Sequence, residues 1–164
     1  MRNRKITLLD LGGVVFQSTG ISNNEIDWTI ISQLNDQYGA RMDLGEDVFS
    51  DFLSEYNQLT KNSLEGELFL EKVFDTLEFN TALIDFLRKR SNIIIVSDNY
   101  RENIAYISKR YHFDEWSIRQ VYSYDYQMHK SNPNFFKCLL DDLEDLQYED
   151  LVFIDDSPLL MNKE

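Results

Sequence analysis

The chain has 164 residues, with 29 Asp and Glu against 16 Lys and Arg, a formal net charge of −13 and a sequence pI near 4.5. At 43% hydrophobic and 27% charged it has the composition of a folded globular chain, and so acidic a surface repels nucleic-acid phosphates and anionic lipid, so neither is expected as a partner. No apolar run approaches the roughly 20 residues of a membrane helix, and the lone Cys138 excludes an internal disulfide framework and fits a reducing cytoplasm.

The first element is "ITLLD" (6–10), a continuous apolar run ending at Asp10 and followed by Gly12 and Gly13. The basic start before it is broken by that aspartate and does not read as a signal peptide. After a gap at "FQSTGISN" (16–23), which reads as a hinge, "EIDWTIISQLNDQYG" sets Ile26, Ile30, Ile31, Leu34 and Tyr38 on one helical face. Ser22 with Glu25 forms a capping box for this helix, and Gly39 suits its end. Two further amphipathic helices follow, in "EDVFSDFLSEYNQL" and "SLEGELFLEKVFDTL", and a fourth begins after Asn80. A simple strand-to-strand crossover needs far less chain. Residues 17–78 are therefore expected to form a helical cap, inserted into a core made of 1–16 and 79–164.

Strand-like runs then recur at "NIIIVSD" (92–98), more weakly at "RQVYSYD" (119–125), and at "DLVFIDD" (150–156). Helices "RENIAYISKRY" and "NPNFFKCLLDDLEDL" lie between them, the second with Pro133 in its first turn. Unalternating strands separated by helices predict an α/β fold, a Rossmann-like parallel sheet with helices on both faces. Cys138 falls on the apolar stripe of the last helix and reads as core. His112 and His129 lack zinc-ligand spacing.

Each strand ends in polar residues: Asp10, Ser97 with Asp98 and Asn99, Asp125, and Asp155 with Asp156. Ligands of open α/β sheets bind at those carboxyl ends. Clustered carboxylates without His or Cys favour a hard cation such as Mg²⁺. Asp10 suits two roles, metal ligand or nucleophile toward phosphorus. Gly12 and Gly13 would let backbone N–H groups approach an oxyanion. Ser97 suits a phosphate-binding hydroxyl or a helix N-cap, with amides after Asn99 assisting. Lys130 would neutralise charge on phosphate and on Asp10.

Four segments in order resemble the motifs of the haloacid dehalogenase-like hydrolase superfamily: "LLDLGGVVF", "IIIVSDN", "HKSNPNFF" and "FIDDS". The resemblance covers nearly the whole chain, including a cap between the first two motifs. It implies an Mg²⁺-dependent phosphatase acting on a small phosphorylated metabolite through an aspartyl-phosphate. Asp10 is then the nucleophile, Ser97 and Lys130 the phosphate partners, and Gly13, Asp98 and Asn99 line the substrate site. Asp10, Asp156 and the Gly12 carbonyl hold the metal, with Asp155 behind them. The "DLGG" start is similar to a subgroup near sugar-phosphate phosphatases and the phosphatase half of soluble epoxide hydrolases.

Three departures qualify the transfer. Gly12 stands where phosphatases of the superfamily carry a second aspartate as general acid and base. Ser131 stands where proline is common, and the family adds a further strand and helix after its fourth motif. The alternative is a catalytically weak or inactive member that binds a phosphorylated ligand or a protein partner. The dehalogenase branch ranks last, since it leaves Asp155 and Asp156 without a role.

Overall fold

The computed structural model describes residues 5–20, 25–146 and 150–157. Four parallel strands form the central sheet in the order β5-β4-β1-β6: β1 (Lys5–Leu9), β4 (Ser91–Ser97), β5 (Arg119–Tyr122) and β6 (Leu151–Ile154). A two-residue alternation sends side chains of each inner strand to opposite faces. Leu9, Ile93 and Ile95 enter one apolar cluster; Ile6, Leu8, Ile94, Val96 and Val121 enter another. The first is covered by α4 (Thr81–Arg88) and α5 (Arg101–Arg110), through Ile84, Leu87, Ile104 and Ile107. The second is covered by α7 (Pro133–Asp142), through Phe135 and Leu139. Burial on both faces explains why these strands read as unbroken apolar runs.

Helices α1 (Trp28–Asp43), α2 (Phe49–Thr60) and α3 (Gly66–Phe74) lie between β1 and the next sheet strand in the chain. They bury a cluster of their own, centred on Leu34, Phe52, Tyr56 and Phe69. Except for the exposed Trp28, the aromatic residues of these helices are therefore packing groups, as their periodicity suggests. Two short strands, β2 (Phe16–Ser18) and β3 (Leu77–Phe79), pair antiparallel where the chain leaves and re-enters the sheet region. Within the hinge expected at 16–23, residues 16–18 form an ordered ladder, because Phe16 is buried against Phe74 and Phe79, and residues 21–23 lie outside the described residues.

The start of α1 differs from expectation. Its N-cap is Asp27, whose carboxylate accepts from the Thr29 and Ile30 N–H groups at 3.0 and 3.2 Å. Ser22 of the expected capping box lies outside the described residues. Gly39 does not end this helix, which runs on to Asp43. Elsewhere the caps agree: Asn80 accepts from Leu83 N–H, and Asn132 precedes Pro133 at the first turn of α7. Cys138 is half-buried, beside the core-facing stripe. Among the described residues no helix is long and apolar enough to cross a membrane.

Candidate active site at the carboxyl edge of the sheet

The parallel pairing of β1 and β6 persists to its last residue, where the Asp10 N–H donates to the Ile154 carbonyl at 3.0 Å. This register sets Asp10 beside Asp155 and Asp156. One oxygen from each of the three carboxylates lies within 4.8 Å of the others. Lys130 reaches in from the loop before α7, its Nζ at 2.8 Å from Asp10 Oδ2 and 2.6 Å from Asp155 Oδ2. That loop is tied to the end of β4, because the Lys130 N–H donates to Asp98 Oδ1 at 2.9 Å. Asp155 spends its other oxygen on the Ser157 N–H at 2.7 Å. Asp156 is exposed.

Gly13 explains its own identity. Its φ is +70°, and a Cβ there would fall 1.9 Å from Asp156 Oδ2. A larger residue is excluded by backbone strain and by collision with the carboxylate. Gly12 is different: a Cβ meets nothing within 4 Å. Asp10, Gly12, Ser97, Asp98, Asn99, Lys130, Ser131, Asp155 and Ser157 surround a cavity of about 250 Å³.

Burial pushes the Asp10 carboxyl up, while the Lys130 ammonium and a hydrogen bond from Ser97 oppose the rise. Burial also works against the Lys130 ammonium, but Asp10 and Asp155 outweigh it and hold Lys130 above its ordinary range. A buried cation flanked by acids stays charged because neutralising it would strand the anions. The donor set is three carboxylates with no His or Cys, which suits a hard divalent cation.

No family model and no curated protein matches the sequence. Solved structures do. A HAD (haloacid dehalogenase) family enzyme from Bacteroides thetaiotaomicron superposes with a TM-score of 0.73 at 18% identity, over 97% of this chain and 87% of that one. The same enzyme, in complex with magnesium and inorganic phosphate, matches at 0.71 and 19%, over 96% and 87%. A predicted HAD-like family hydrolase from Porphyromonas gingivalis matches at 0.63 and 18%, over 98% and 85%. A 2-haloacid dehalogenase from Pseudomonas syringae pv. Tomato DC3000 follows at 0.53 and 14%, over 94% and 79%. The chain has the haloacid dehalogenase-like fold.

Within this fold the residues singled out in the sequence converge. Asp10, Gly12, Ser97, Asp98, Asn99, Lys130 and Asp155 all line the cavity, Asp156 completes the carboxylate group, and Gly13 lies against Asp156. Three expectations change. Asp125 does not face the edge: it sits on the short helix α6 (Ser123–Tyr126) and accepts from the Tyr122 N–H at 2.8 Å. Ser97 is no helix cap, since α5 starts after Tyr100. Of the amides after Asn99, that of Tyr100 donates to Asn99 Oδ1 and so does not serve an oxyanion in this arrangement.

Four further residues matter here: Ser157 and His129, which lie inside the segments "FIDDS" and "HKSNPNFF", and Ser123 and Asp43, which no motif contains. Ser157 lines the cavity. Ser123 is fully buried and its hydroxyl donates to the Asp43 carbonyl at 2.6 Å, joining the end of α1 to the start of α6. Asp43 and His129 line one cavity only because the fold sets the end of α1 beside the segment between α6 and α7, so neither local pattern nor spacing brings them together.

Proposed function

We propose that the protein is an Mg²⁺-dependent phosphatase of a small phosphorylated metabolite, acting through an aspartyl-phosphate at Asp10. The observation that supports this most is the group Asp10, Asp155 and Asp156, with the Lys130 ammonium on the first two, beside a cavity of about 250 Å³ at the strand ends. Asp10, Asp156 and the Gly12 carbonyl would hold Mg²⁺, which when bound supplies charge neutralisation for phosphate and carboxylates. Asp155 positions Lys130 through their 2.6 Å contact. Ser97 and Lys130 would bind phosphoryl oxygens.

In this reading an Asp10 oxygen attacks phosphorus, forming an acyl phosphate as the bond to the alcohol oxygen breaks. The departing alkoxide takes a proton from water. A second water then attacks phosphorus, the bond to Asp10 breaks, and inorganic phosphate leaves with the carboxylate restored. Gly12 supplies no carboxylate for either proton, so turnover falls most for poor leaving groups. Residues 17–78 act as a cap that closes over the strand ends and excludes water.

The test is hydrolysis of 4-nitrophenyl phosphate. Wild type is expected to release phosphate only with Mg²⁺, and Asp10→Asn to lose at least 10³-fold of the rate (about 4 kcal/mol). Equal rates in the two proteins would remove the proposal. Gly12 also favours a second reading, a member that binds a phosphorylated ligand or a protein partner without turnover. It predicts Mg²⁺-dependent thermal stabilisation by inorganic phosphate and no product on long incubation.

A further inference from the structure

Asn99 follows β4 and lines the cavity of about 250 Å³ together with Ser97 and Lys130. Its main-chain N–H donates to Ser123 Oγ at 3.1 Å. Its side-chain oxygen accepts twice, from the Tyr100 N–H at 3.0 Å and from Asn103 Nδ2 at 2.6 Å. These two bonds fix which end of the amide is which. The oxygen is turned to the start of α5, and the NH2 is the end left for the cavity. Reversing the Asn103 amide would set oxygen against oxygen.

The start of α5 by itself would favour a different arrangement. Asn103 is the third residue of the helix, and the N-cap, Tyr100, makes no side-chain cap. An acceptor at that third position ordinarily reaches back to the N-cap N–H, as in a capping box. Here the Tyr100 N–H goes to Asn99 and Asn103 presents its nitrogen to the same oxygen. Asn103 Oδ1 is left buried with no hydrogen-bond partner among the described residues. An unpaired buried acceptor costs stability. Such a cost is expected where a site, and not the fold, dictates an orientation.

We propose that Asn103 is a positioning residue of the reaction, orienting Asn99 so that its side-chain NH2 donates to a phosphoryl oxygen. This rests on the phosphatase reading of the site. Orientation decides the sign of the contact, because the amide nitrogen attracts a phosphoryl oxygen and the amide oxygen repels it. Held this way, Asn99 adds a donor to those of Ser97 and Lys130 without adding charge beside Asp10 and Asp155. The contact is to an oxygen that stays on phosphorus, so it acts alike on every leaving group.

A double-mutant cycle tests this, with wild type, Asn99→Ala, Asn103→Leu and the double variant. Each is assayed with Mg²⁺ on 4-nitrophenyl phosphate and phenyl phosphate, and each is unfolded thermally. Asn99→Ala is expected to lose about 10²-fold of kcat. Asn103→Leu is expected to lose about tenfold or more, by the same factor on both esters. The double variant should match Asn99→Ala within about twofold, since Asn103 then has nothing to orient. Asn103→Leu should melt no lower than wild type, because leucine removes the unpaired acceptor and favours helix. Activity lost without stability is a result that a packing role would not give.

Losses that multiply in the double variant, wild-type rates in either single variant, or losses that differ between the two esters would overturn the assignment. If leucine lowers the melting temperature, Asn103→Ala, too small to collide with its surroundings, takes its place and is judged by the same cycle. An active wild type with a multiplicative cycle defeats the positioning role alone. If wild type releases no phosphate from either ester with Mg²⁺, the phosphatase reading itself fails, and the role of Asn103 falls with it.

Discussion

Lys130 is 5% exposed and touches two carboxylates, so its charge is part of the fold as well as of any chemistry. Removing one partner from a buried ionic group leaves the others uncompensated, at a cost of about 3–5 kcal/mol. The glycines beside Asp10 have separate explanations. Gly13 is demanded by its φ and by Asp156, whereas Gly12 lies in open space with ordinary backbone. Gly12→Asp is therefore expected to fold with little loss of stability. If the phosphatase reading holds, it should raise turnover of alkyl phosphates by about 10²–10⁴-fold. Aryl phosphates, whose leaving group needs little protonation, should gain much less. Comparing the two substrate types in wild type and variant checks this, and equal gains on both would contradict it.

At the scale of elements, the end of α1 carries the clearest cost. Burial pushes the Asp43 carboxyl up to about 6 from 3.8, Asp98 adds to the rise, and His129 opposes it. A carboxylate at a helix C-terminus also meets the negative end of the dipole. The folded state thus holds this proton more tightly than the unfolded chain does. Stability from this group is greatest below pH 4 and falls as pH rises from about 4 to 6. Asp43→Asn is expected to match wild type near pH 3.5 and to exceed it by up to about 3 kcal/mol above pH 6. Urea unfolding at both pH values tests this, and a difference independent of pH would refute it. The same helix end is held by Ser123, so α1 is anchored to the start of α6, just after β5, by a hydrogen bond between residues far apart in the chain.

At the scale of the whole molecule, a net charge of −13 and three clustered carboxylates make divalent cations the natural counterweight. A ligand that binds only the folded state stabilises it by about 2.7 kcal/mol at a hundredfold excess over Kd. For a domain of this size that is a rise of roughly 5–10 °C. Mg²⁺ is expected to raise the melting temperature on this scale, EDTA to reverse it, and Asp156→Asn to abolish most of it. An identical rise in the variant would place the ion elsewhere.

The strands were legible because burial on both faces demands unbroken apolar runs, and the amphipathic helices because one face of each must be apolar. The candidate site was legible for a related reason: parallel strands deliver their last residues to one edge, so Asp10, Ser97 and the Asp155–Asp156 pair share an address wherever the strands sit in the sheet. Local capping was less readable. Asp27, which carries no capping-box pattern, starts α1, and Asp125 stands at a strand end although its carboxylate serves the Tyr122 amide. The order β5-β4-β1-β6, the β2–β3 ladder and the cavity between α1 and His129 depend on contacts between distant segments. By itself the sequence determined which residues are strand ends and which chemistry they offer, because periodicity and residue type are local. Tertiary structure alone decided that Lys130 bridges Asp10 and Asp155, that Gly13 makes room for Asp156, and that Asp43 faces His129, because those facts are distances between segments that no local pattern encodes.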